Sequence, residues 1–200
     1  MILDFISGKL DGDSWENLCD SCYRMRYQEE NYQKIQANQG GDAGVEGYTQ
    51  SGITYQCYYP EKDYNDNELY EKLREKMTKD IAKLINPEYI ARQKALGIKK
   101  IKEWHFVIPE YKDPRILQHA ENKYQEVLKF KRDTIDLCNH IDDDFRIVIK
   151  VAEDFKVELT RIIRNTLTDV KLEFAINHIG VVDWSKCSSE KVNNINVSSI

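Results

Sequence analysis

Residues 40–60 read Gly40-Gly41-Asp42-Ala43-Gly44-Val45-Glu46-Gly47-Tyr48-Thr49-Gln50-Ser51-Gly52-Ile53-Thr54-Tyr55-Gln56-Cys57-Tyr58-Tyr59-Pro60. A glycine-dense turn region leads into a short strand over 45–49. Gln50-Ser51-Gly52 then reverses the chain. Residues 53–59 form the strongest strand of the sequence, dense in β-branched and aromatic side chains and stopped by Pro60. Together they predict a β-hairpin. Side chains alternate along a strand, so Gln56 and Tyr58 share one face while Tyr55, Cys57 and Tyr59 take the other. Glu46 opens one strand and Gln56 lies on its neighbour. A carboxylate, an amide oxygen and a strand carbonyl (that of Cys57) at one spot make an oxygen cluster suited to Mg²⁺. Such a cation polarises a phosphodiester and deprotonates a water.

Outward from the hairpin, the N-terminal side predicts a helix from Asp13-Ser14 to about Glu30. Its apolar positions are Trp15, Leu18, Cys19, Cys22 and Met25, and Asp13 or Ser14 can cap its first amides. A short strand over 32–37 precedes the glycine loop. On the C-terminal side, Leu69, Leu73, Met77, Ile81 and Leu84 mark a long helix broken at Asn86-Pro87. Pro87 opens a second helix that Gly97 stops. A buried strand spans 101–108, Ile116, Ala120, Tyr124, Val127 and Leu128 mark another helix, and 145–151 is a last core strand. A helix through Phe155, Leu159, Ile162 and Ile163 follows. The order predicts an α/β domain: a mixed sheet flanked by helices on both faces. Residues 1–166 form that domain. Residues 167–200 are an extension in which Leu172, Phe174 and Ile176 alternate as an edge strand, and 187–200 form a Ser/Asn-rich disordered tail.

Composition narrows the class. The 200 residues are 41% hydrophobic and 32% charged, the balance of a globular chain, and the net charge of −5 argues against a broadly basic coat for nucleic acid. No apolar run approaches the ~20 residues of a membrane span, and the first residues lack the pattern of a secretory signal. Five Cys without framework spacing predict reduced thiols in a cytoplasm.

The hairpin segment resembles the restriction-endonuclease-like superfamily of PD-(D/E)xK nucleases, especially the Mrr-like branch. That branch reads roughly Gly-Gly-Asp-Gly-Gly-Ile-Asp-Gly, a gap, then Gln-x-Lys. Residues 40–47 match the first part, with Glu46 at the metal-binding acid, and Gln56 matches the Gln. The helix and strand order agrees with the family's αβββαβ core. The resemblance covers residues 13 to 165. It implies a DNA endonuclease or nuclease subunit using Mg²⁺ (or Mn²⁺), in prokaryotic defence against phage. Glu46, Gln56 and Cys57 would hold the metal, joined by Asp42 and by Glu16 of the first helix. One departure stands out: the family's catalytic Lys falls at Tyr58. Some members carry this Lys on another element, and Lys62, Lys72 and Lys76 are the candidates here. The alternative is a decayed nuclease fold acting as an adaptor, with residues 170–184 as a docking segment. A single site cuts one strand and the chain leaves no room for a target-recognition domain. Double-strand cleavage therefore predicts a homo-oligomer or a complex with a sensor or ATPase protein.

Other features have plainer readings beside sharper ones. Cys19 and Cys22 lie on an apolar helix stripe and read as small buried hydrophobes, with zinc (completed by Cys138 and His140) the alternative. His105 reads as a core histidine. The lysines of 72–83 interleave with acids as a solvated, salt-bridged face, with phosphate contact the minority option. Tyr48, Tyr55, Tyr58, Tyr59 and Tyr64 pack a hairpin or stack bases.

Overall fold

A computed structural model describes residues 2–6, 10–36 and 44–165. The chain divides into two compact units, Met1–Thr160 and Arg161–Ile200. Of the second, residues 161–165 are described and are helical. The expected edge strand at 172–176, the docking segment at 170–184 and the tail at 187–200 lie outside the described residues, as does Asp42.

The first unit is α/β. After a 3-10 turn over Ile2–Phe5 come α1 (Gly12–Arg26), a 3-10 turn over Gln28–Glu30, and the strands β1 (Gln33–Lys34), β2 (Gly47–Tyr48) and β3 (Ile53–Cys57). Next are α2 (Asp66–Leu84), α3 (Pro87–Ala95), β4 (Ile101–Ile108), α4 (Arg115–Asp133) and β5 (Ile141–Val151). The sheet order is β1-β2-β3-β4-β5; the pairs β1–β2 and β2–β3 are antiparallel, and β3–β4 and β4–β5 are parallel. Parallel neighbours need a crossover. The two crossovers are α2–α3 and α4, both on one face, while α1 covers the other.

The helices α1, α2 and α3 begin where the sequence supplies a side-chain cap, whereas α4 starts after Pro114 without one. In α1 the cap is Asp11, one turn earlier than the sequence predicts. Asp11 accepts from the Ser14 N–H, and the Ser14 hydroxyl accepts in return from the Asp11 N–H, so Ser14 is the far half of a capping box. Asn65 and Glu68 do the same for α2, and Asn86 caps α3 just ahead of Pro87. Gly97 ends that segment at φ +88. The strands predicted over 32–37, 45–49 and 53–59 are shorter in the structure, with ladder pairing confined to Gln33–Lys34, Gly47–Tyr48 and Ile53–Cys57.

Strand alternation decides what each face carries. Thr54, Gln56, Trp104, Phe106 and Ile108 turn toward α2 and α4, where Leu73, Met77, Ile81, Ile116 and Val127 are buried with Trp104 and Phe106. Tyr55, Cys57, His105 and Val107 turn toward α1, under Trp15, Cys19, Cys22 and Tyr23. Tyr23 stacks on Tyr55 with ring centroids 4.0 Å apart. It also donates to His105 Nδ1 at 2.7 Å, while His105 Nε2–H reaches Glu103 at 2.7 Å. Burial lowers the His105 pKa, so this is a neutral, hydrogen-bonded core histidine. Among the described residues no helix is long and apolar enough to cross a membrane.

Gly47 is the tightest point of the hairpin. A Cβ there would lie 2.6 Å from the Tyr55 ring and 2.7 Å from the Tyr32 hydroxyl. Those rings are fixed by stacking and by a 2.9 Å bond between their hydroxyls. Gly47→Ala is therefore expected to lower unfolding stability by about 1–3 kcal/mol through overpacking; denaturant titration checks it, and an unchanged midpoint contradicts this packing.

Candidate functional site

One residue ahead of β2, the backbone of Glu46 is pinned from both sides. Its N–H donates to the Tyr55 carbonyl and its carbonyl accepts from the Ile35 N–H, each at 2.8 Å. This holds the side chain over the end of β3. Glu46 Oε1 accepts from Gln56 Nε2 at 2.5 Å, and Oε2 accepts from the Cys57 N–H at 3.0 Å. Glu46 is 8% exposed and Gln56 2%. The acid and the amide thus meet on adjacent strands.

The carboxylate is electrostatically poised. Burial is the largest influence and raises its pKa; the Cys57 thiol and N–H pull it down, Glu16 pushes it up and Lys76 pulls it down, leaving it at about 7. The Gln56 Oε1 atom is buried with no hydrogen-bond partner. An unpaired buried amide oxygen is costly. A cation at that oxygen would satisfy it.

Glu46 lies in the wall of an open cleft of about 540 Å³ between the start of α1 and the end of β3. Asp11, Asp13, Glu16, Glu46 and Glu61 bring carboxyl groups to that wall, along with Cys57, Tyr58 and Tyr59. Glu16 is held by Lys34 at 3.2 Å. The structure therefore brings Glu46, Gln56, Cys57 and Glu16 to one place. The thiols of Cys19 and Cys57 are both free and buried, and burial raises the Cys19 pKa.

The candidate lysines separate. Lys62 lies in a neighbouring cleft, with its ammonium 5.2 Å from the centre of the Tyr64 ring. Lys72 is on the exposed face of α2, 3.7 Å from Glu75. Lys76, one turn further on, is partly buried and pairs with Asp80 at 2.8 Å. The alternation of β3 carries Tyr58 past Gln56 toward α2, where it packs against the core. Tyr58 and Lys76 thus approach from the same side of the sheet.

Two features of the site had no clear signal in the sequence. Tyr23 is fully buried, although the α1 stripe read from the sequence passed over it in favour of Leu18 and Met25; Met25 is 37% exposed. Asp80, in the middle of the apolar face of α2, is 1% exposed. Its position three residues after Met77 and one before Ile81 was the available clue.

Among the described residues no group of three or more His, Cys, Asp and Glu side chains is arranged as a metal cage. The oxygen donors that are present, a carboxylate beside an unpaired amide oxygen, have the hard chemistry that Mg²⁺ or Mn²⁺ takes. No family model matches the chain, and neither curated proteins nor solved structures give a match.

The raised pKa has a signed consequence. The folded state holds the Glu46 proton more tightly than the unfolded state, so the associated stability is full below pH ~4.5 and is lost as pH rises through about 7. With chelator present, Glu46→Gln is expected to gain on the wild type by about 3 kcal/mol between pH 4.5 and pH 8. Urea unfolding across that range measures the difference, and a pH-independent difference contradicts it.

Proposed function

We propose that this chain is a metal-dependent nuclease domain of restriction-endonuclease-like fold, hydrolysing phosphodiester bonds of DNA at the Glu46–Gln56 end of β3. The observation that carries the reading is the hydrogen bond of buried Gln56 to Glu46, whose carboxyl lines the cleft. The αβββαβ order and the match of residues 40–47 and Gln56 to the family motif support it.

Mg²⁺ or Mn²⁺ would be held by Glu46, Gln56 Oε1 and the Cys57 carbonyl, with Glu16 from α1 and Asp42 from the glycine loop. When bound, the cation supplies the charge that polarises the phosphodiester and acidifies a water. Glu46 takes its binding form as its proton leaves near pH 7. Lys76 places an ammonium on the side of the sheet where the family's lysine would stand, there to offset charge developing on phosphate. Tyr58 offers a hydroxyl to orient a water or a phosphate oxygen. The family's setting extends the proposal to cytoplasmic anti-phage defence, in a homo-oligomer or with a sensor or ATPase protein.

A second reading, a decayed nuclease fold serving as an adaptor, is favoured by Tyr58 at the lysine position and by the carboxyl groups lining the cleft. Without a bound cation those charges repel a phosphodiester.

A plasmid-nicking assay separates the two. The nuclease reading expects Mn²⁺- or Mg²⁺-dependent nicking that Glu46→Ala abolishes and Lys76→Met lowers at least about a hundredfold, the low end of what one charge-stabilising group supplies. No nicking with either metal, or nicking that Glu46→Ala leaves intact, rejects it.

A further inference from the structure

Asp80 stands out among the charged residues of α2. The helix's other ion pairs, Lys72–Glu75, Arg74–Glu71 and Lys79–Glu75, lie on its exposed face. Asp80 is 1% exposed and faces the sheet with Met77 and Ile81. A carboxylate in such a place is costly unless paired. It is paired twice, with Lys76 Nζ 2.8 Å from Oδ2 and Lys83 Nζ 3.2 Å from Oδ1. Both lysines are partly buried, at 27% and 32% exposed.

The two ion pairs anchor different turns of α2. Lys76 lies on the turn of α2 that covers the sheet face toward which Gln56 and Tyr58 turn. Lys83 lies against Gly44, the first described residue after the glycine loop. A Cβ on Gly44 would come 3.0 Å from Lys83 Cβ and 3.3 Å from the Asp80 carbonyl. Gly44 has φ +77, and its carbonyl accepts from Trp104 Nε1 at 3.4 Å. Asp80 therefore sits where α2, the end of the loop and the Glu46 strand converge. A free lysine carries four rotatable bonds and about 2 kcal/mol of rotamer entropy. A fixed carboxylate removes that freedom ahead of substrate binding.

We propose that Asp80 is the positioning residue of this site: its buried carboxylate holds the Lys76 ammonium on the side of the sheet toward which Gln56 and Tyr58 turn, the side on which a strand lysine would otherwise stand. The inference rests on the nuclease reading for its chemistry and on ion-pair geometry for its placement, so two readouts are needed.

The first readout is independent of activity. Acylation of lysine amines by acetic anhydride, followed by mass spectrometry of the full-length chain, reports how firmly each ammonium is held. Asp80→Asn is expected to raise the labelling rate of Lys76 severalfold while Lys72 labels as before. An unchanged Lys76 rate overturns the proposal even if the protein proves to be no nuclease.

The second readout is a double-mutant cycle in Mn²⁺-dependent nicking. Asp80→Asn is expected to lower kcat at least tenfold with KM within about twofold, and to have no further effect in the Lys76→Met background. A merely structural Asp80 predicts losses that multiply, or no loss in kcat, and either result overturns the proposal. If Asp80→Asn does not fold, Asp80→Glu enters the same cycle, with retained Lys76-dependent turnover expected and its loss contradicting the proposal. Absence of nicking in the wild type rejects the nuclease reading and leaves the labelling result to decide the placement of Lys76.

Discussion

A carboxylate kept out of water beside an amide is the constraint on which this molecule turns. Glu46 is held between the carbonyl of Tyr55 and the N–H of Ile35, so its backbone has little freedom, and its two oxygens are met by Gln56 and Cys57. The local bonding does not make the anion comfortable, since burial outweighs it and the pKa rises. The Gln56 oxygen left without a partner is a second unmet demand at the same point. A positive charge arriving there would answer both demands, and that shared need links the fold to the proposed chemistry.

The surrounding architecture serves that placement. Parallel pairing of β3 with β4 and of β4 with β5 requires crossovers, and these put α2 on the face toward which Gln56 and Tyr58 point. The opposite face is closed by α1, through Trp15, Tyr23 and the stack on Tyr55. The start of α1 also brings Glu16 to the cleft. Gly47 lets the hairpin close over two tyrosine rings that no side chain could share. In this arrangement the aromatic residues of the hairpin are packing elements: Tyr55 and Tyr32 bond through their hydroxyls, and Tyr48 reaches the carbonyl of Leu96 at 3.0 Å.

Much of this was legible in the residues, because periodicity and punctuation are local signals. The span 101–108 is a strand end to end, and Pro87 and Gly97 mark a helix as their backbone chemistry requires. The alternation through Tyr55, Gln56, Cys57 and Tyr58 assigned faces that the register reproduces. What the sequence hid depends on contacts distant along the chain. Lys62, Lys72 and Lys76 are equivalent by composition, and the packing of α2 against the sheet separates them. Asp80 reads as one more acid in a charged run until its burial is known. Ser14 looks like a cap and is the reciprocal partner of one, a difference of one turn that hydrogen-bond geometry settles.

The central claim is that Glu46 and Gln56 together receive a divalent cation. Calorimetric titration of the full-length protein with Mn²⁺ at pH 7.5, repeated on Glu46→Ala, tests it directly. The account predicts a saturable site in the wild type whose binding releases protons and which the substitution removes. Equal Mn²⁺ binding by the two proteins, or none by the wild type, would contradict it.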